Sequence, residues 1–196
     1  MTRQCYLLIS LLAIAGVAEA HDALAQSSFG AGFYHPLSGV DHLLALMGVG
    51  LWSSHIGGRA RWIVPLVFVT VMLVGARIGN AGLSVSAVEI GTVFSVLLFG
   101  ALVAKSVQAP TAIGAAIAAT FAVFHGLAHG GEWPASGSVL TYLLGLTAAS
   151  MVVLAGSVLA GQWFRRKRGC PLLLRAAGGL IASVGGLLLL NIGNSL

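Results

Sequence analysis

The chain has 196 residues, of which 58% are hydrophobic and only 8% charged, with a formal net charge of +5 and a mean hydropathy of +0.97. Soluble domains carry roughly 25% charged residues, so the composition excludes an ordinary soluble domain and implies one polytopic membrane domain. The surplus of cations has no basic face with interleaved aromatics, so no nucleic-acid partner is expected. Cys5 and Cys170 form neither a metal-binding spacing nor a disulfide framework.

Residues 1–20 read as a secretory signal. Arg3 gives the positive start, residues 6–17 the apolar core, and Ala18-Glu19-Ala20 a small-x-small cleavage site, with a second site at Ala23-Leu24-Ala25. The mature domain is then 21–196, and His21 becomes its N-terminus, where a free α-amine beside an imidazole is a weak metal chelate. Six apolar segments follow, at about 33–53, 62–80, 84–104, 110–131, 138–163 and 171–191, each near the ~20 residues needed to cross hydrocarbon. Backbone polar groups in lipid must be satisfied within a segment, and no ten-residue alternating strands occur, so the fold class is all-α: six transmembrane helices after a cleaved signal.

The cations set the orientation. With the N-terminus outside, Arg59, Arg61, Lys105, Arg165, Arg166, Lys167, Arg168 and Arg175 all fall at cytoplasmic ends, and Arg77 alone among mature-chain cations lies outside. This asymmetry follows the positive-inside rule, and it puts both mature termini outside. Glycines and alanines in the spans, such as Gly75, Gly79 and Gly178-Gly179, are assigned to close helix packing.

Within the apolar segments lie His35, Asp41, His42, Glu89, His125, His129 and Glu132. Three isolated charged carboxylates would cost up to roughly 8–10 kcal/mol in the bilayer, comparable to a whole domain's stability of about 5–15 kcal/mol. They must be paired, hydrated, protonated or bound to a cation. The topology puts all seven groups in the outer half of the membrane. His125 and His129 are four apart and share a helical face, which Glu132 continues; His35 and His42 are seven apart. Pro36 and Gly39 lie between that second pair, and a helix starting at Pro36 would leave His35 on an extended segment folding back toward His42. Interrupted helices beside a substrate site are a transporter device.

Imidazole with carboxylate suits Ni²⁺, Zn²⁺, Co²⁺ or Cu²⁺ rather than Mg²⁺ or Ca²⁺. The candidate metal residues are therefore His35, Asp41, His42, His125, His129 and Glu132, with Glu89 and His21 as weaker members. Met47 and Met72 are read as packing, and His55 as a solvated loop residue. No prosthetic cofactor is implied. An imidazole must be neutral to ligate, so metal uptake should fall as the pH drops below about 6, the ordinary histidine range; unchanged uptake from pH 7 to pH 5 would speak against histidine ligation.

These residues resemble the HupE/UreJ family of nickel permeases. The first motif reads His35-Pro36-Leu37-Ser38-Gly39-Val40-Asp41-His42, with Gly50-Leu51-Trp52 after it. The second reads Phe124-His125-Gly126-Leu127-Ala128-His129-Gly130-Gly131-Glu132. Leu46 and Leu127 stand where many members carry Met and His. The resemblance covers essentially the whole chain. It implies a bacterial inner-membrane carrier for Ni²⁺, and also Co²⁺, that supplies hydrogenase or urease maturation proteins. The alternatives are an intramembrane zinc metallohydrolase and a metal-binding accessory protein that moves nothing itself.

Overall fold

The computed structural model describes residues 28–79, 85–130, 138–166 and 170–194. Among them every regular element is helical: α1 (Ser28–Ser38), α2 (Val40–Ile56), α3 (Ala60–Gly79), α4 (Val85–Ala104), α5 (Thr111–Gly130), α6 (Val139–Arg166) and α7 (Cys170–Gly193). The helices α3 to α7 are long and apolar enough to cross a membrane. Their bounds follow the expected segments within a few residues, because an apolar run of that length has no other way to satisfy its backbone in lipid. The expected leader at 1–20, His21 and Glu132 lie outside the described residues.

The first expected span, 33–53, is not one helix. It is divided between α1, of 11 residues, and α2, of 17. The break is at Gly39, whose backbone is extended (φ −80°, ψ 111°), and not at Pro36, which lies inside α1. His35 is therefore helical and not on an extended strand of chain. Hydrogen bonds still cross the break, from Gly39 N–H to His35 O (3.2 Å) and from Leu43 N–H to Gly39 O (2.9 Å). The two short helices thus follow one another with one unwound residue between them.

α2 is the axis of the bundle and packs against all six other helices. Its sequence has no polar face because it has no solvated side: Ala45, Leu46, Val49, Leu51 and Trp52 are all buried. Around it α3 pairs with α5, α4 with α7, and α6 with both α1 and α2. The pairings depend on small residues. A Cβ at Gly126 would stand 2.7 Å from Gly75 Cα and press on Met72 O, so α3 and α5 approach this closely only because both positions lack one.

Among the described residues, the α2 C-terminal end is tied to its neighbours by several hydrogen bonds. Trp52 Nε1–H donates to Val107 O (3.0 Å) and His55 Nε2 to Ser106 O (2.9 Å). Arg165 donates to Ser54 O and His55 O (2.5 and 2.7 Å), and Arg175 Nε–H to Ala104 O (2.9 Å). His55 is accordingly part of the last turn of α2 and half-buried, which corrects its reading as a solvated loop residue. The run SSHIGG looked like a loop because of its composition; a carbonyl on the neighbouring connection holds the ring instead. Arg59, Arg61, Lys105, Arg165 and Arg166 all belong to this end, while Arg77 closes α3 at the opposite end.

Candidate metal centre

The histidines sit where three helix ends converge, opposite the arginine-rich end. His35 is in the last turn of α1. His42 is in the first turn of α2, directly after the break. His129 is in the last turn of α5, with His125 one turn deeper, and both are buried on its inner face. The break matters to this convergence. A Cβ on Gly39 would stand 3.1 Å from Asp41 Oδ1 and 3.2 Å from His42 Nδ1, so a glycine leaves room for that pair.

Three of the rings, His35, His42 and His129, are in mutual contact, and His125 joins them through His42. Ring centroids are 4.6 Å apart for His42–His129, 4.7 Å for His35–His129, 5.0 Å for His42–His125 and 5.6 Å for His35–His42. His35, His42 and His129 each offer a ligand atom, and those atoms all lie within 4.8 Å of one another. Three nitrogens at that separation can surround one cation at the ~2.0–2.1 Å typical of imidazole–zinc bonds with only small side-chain movement.

Hydrogen bonding says which nitrogens are available. An ionised carboxylate only accepts, so His42 Nδ1–H donates to Asp41 Oδ1 at 2.9 Å. That leaves the lone pair on His42 Nε2, which is buried with no hydrogen-bond partner; His129 Nδ1 is in the same condition. Leaving such atoms unpaired is unfavourable by about 1–3 kcal/mol each, and a cation shared between the rings would satisfy both. The Asp41–His42 pair has the arrangement by which a carboxylate fixes the tautomer of a ligating histidine and raises its basicity. Asp41 thus bears on the centre through His42.

His125 is held differently. Ser95, on α4, has a single hydroxyl hydrogen, and it is committed to Thr92 O at 2.6 Å. Ser95 Oγ must therefore accept from His125 Nε2–H across 2.8 Å. This fixes His125 as the Nε2–H tautomer with its lone pair on Nδ1. Beneath it, Phe68 lies 5.4 Å away, centroid to centroid. Val49, Trp52, Met72 and Phe99, all buried, fill the bundle further in. Near the start of α6, Tyr142 stands 6.4 Å from His35, centroid to centroid.

Of the expected site residues, the structure brings together His35, Asp41, His42, His125 and His129. Glu89 lies on an exposed face of α4, outside the ring cluster. Ser95, Thr92 and Tyr142 were not anticipated. A serine three residues after a threonine in an apolar segment was the available signal, since both are polar side chains on one helical face.

Comparison with known proteins shows the family. Residues 9–188 match the family model described as HupE / UreJ protein. The chain belongs to the HupE/UreJ family. It is 38% identical over 184 residues to Protein HupE of Rhizobium leguminosarum bv. viciae, covering 93% of this chain and 95% of that one. No solved structure matches the chain. The HupE/UreJ match spans both histidine motifs and all the described helices up to the last turn of α7.

Proposed function

We propose that this member of the HupE/UreJ family carries Ni²⁺, and also Co²⁺, inward across the bacterial inner membrane to hydrogenase or urease maturation. The observation that supports this reading is the meeting of His35, His42 and His129 ligand atoms within 4.8 Å, with two buried nitrogens open for a ligand. Such a borderline imidazole site suits late first-row divalent ions and not Mg²⁺ or Ca²⁺. In this reading the cation sheds water among the three outer imidazoles, with Asp41 balancing charge through His42. It passes next to His125, whose Nδ1 lone pair is the following donor one turn deeper. Glu89 and Glu132 are the carboxylates that draw the ion to the outer side. The inner half must then open, because Val49, Trp52, Phe68 and Phe99 close it.

The test is Ni²⁺ entry into liposomes holding the purified protein, with His42→Ala and His129→Ala beside wild type. Entry that both substitutions abolish in folded protein supports the reading. Wild-type protein that binds Ni²⁺ but admits none would turn the assignment to a binding accessory.

A further inference from the structure

The arginine-rich end contains a second built feature, distinct from the histidine centre. A cleft of about 320 Å³ opens between the α2–α3 turn and the last turns of α6. It is lined by Gly57, Gly58, Arg61, Gln162, Arg165 and Arg166, together with Ser54. Three of its walls are guanidinium groups, and among the described residues none of them meets a carboxylate. The five acidic residues of the chain are Glu19, Asp22, Asp41, Glu89 and Glu132, and none falls in the segments that build this end. The partners of the arginines are neutral. Arg61 donates to Gly58 O (3.0 Å) and Gln162 Oε1 (3.1 Å), and Arg165 donates to the two carbonyls that end α2. Arg166 is exposed.

Three features define the ligand. Clustered guanidiniums present forked donors matched to phosphate. The Gly57-Gly58 turn, with positive φ at both residues (82° and 52°), lines the cleft and puts no side chain into it, which leaves room for a phosphate. Trp62, beside Arg61 and 55% exposed, marks this level as the membrane–water interface, where tryptophan accumulates. The positive-inside rule makes this the cytoplasmic surface, whose leaflet carries anionic lipid.

We infer that this cleft binds a phosphate group, that of an anionic phospholipid in the cytoplasmic leaflet. Arg61, Arg166 and the free edge of Arg165 hold the phosphate oxygens, and the acyl chains run along the exposed apolar flank of α3 that Trp62 and Leu66 begin. Because Arg165 also caps α2, the bound phosphate rests against the inner end of the helix whose outer end carries His42.

The experiment is native mass spectrometry of the purified full chain with phosphatidylglycerol against phosphatidylcholine, and, in parallel, its thermal unfolding with inorganic phosphate. Arg165 is left intact because it caps α2. Wild type should retain phosphatidylglycerol preferentially, with the preference falling about five-fold for each cation removed in Arg61→Gln and Arg166→Gln. Arg166→Lys should keep part of it, and Arg59→Gln, exposed and outside the cleft, should keep all of it. Inorganic phosphate that raises the melting temperature of wild type but not of the Arg61→Gln/Arg166→Gln protein would assign the same cleft to free phosphate. Equal retention of the two lipids with no phosphate effect would overturn the inference. So would a loss in Arg59→Gln as large as in Arg166→Gln, since the binding would then be surface charge alone.

Discussion

The two ends of α2 are built on opposite principles. Its arginine-rich end is satisfied: Trp52, Ser54 and His55 each have a partner on a neighbouring element, and Arg165 takes the last carbonyls. Its histidine end is left open: the helix begins after an extended glycine with no side-chain cap, and the ring nitrogens of His42 and His129 are buried without partners. A helix that finishes its hydrogen bonding at one end and withholds it at the other fits the proposed cation centre at the withheld end. Burial of unpaired polar atoms is uncommon in native proteins, and here they belong to two rings whose centroids lie 4.6 Å apart.

The sharpest way to break this contrast is at the open end. His42→Ala or His129→Ala removes one of three converging donors, and Ni²⁺ uptake should fall by more than about 100-fold, exceeding the roughly 10–100-fold typical of losing an outer-shell partner. Asp41→Asn keeps the volume but loses the fixed acceptor. Its Ni²⁺ affinity, measured by calorimetry, should drop by about 10–100-fold while the fold is retained. If Asp41→Asn proved as damaging as His42→Ala, Asp41 would be touching the metal directly.

The scaffold between the ends can be stressed separately. Gly126→Ala places a methyl against Gly75 and the carbonyl of Met72, so α3 and α5 must separate. A loss of about 1–3 kcal/mol is expected, read as a lower melting temperature in detergent, with metal affinity impaired because His125 and His129 ride on the same helix. Ser95→Ala should have the smallest effect on uptake. It strands the His125 Nε2–H, costing about 1–3 kcal/mol if no water replaces the hydroxyl. It should also let the other tautomer appear, which ¹⁵N chemical shifts of the His125 ring would register.

The five long helices were legible because length and apolarity alone determine them. That His125 and His129 share a face was legible from their four-residue spacing, and that His35 and His42 lie near them from the common depth of the two segments. The site of the break was not. Proline is the stronger local signal, yet Pro36 is accommodated inside α1 and the unwinding falls to Gly39, where the Asp41–His42 pair needs the room of a missing Cβ. Ser95 was signalled only by its spacing from Thr92: one small hydroxyl in an apolar helix gains its role from how α4 packs on α5. Glu89 carried a strong charge signal and still lies off the cluster, because helix phase decides placement more than residue type does.

The most direct test of the histidine centre is X-ray absorption at the nickel edge on Ni²⁺-loaded purified protein. Three imidazole nitrogens at roughly 2.0–2.1 Å, the range of imidazole–metal bonds, with the imidazole scattering pattern reduced in His129→Ala, is the expected result. A shell made of oxygen alone, unchanged by His129→Ala, would contradict the account, since the metal would then sit somewhere other than among these rings.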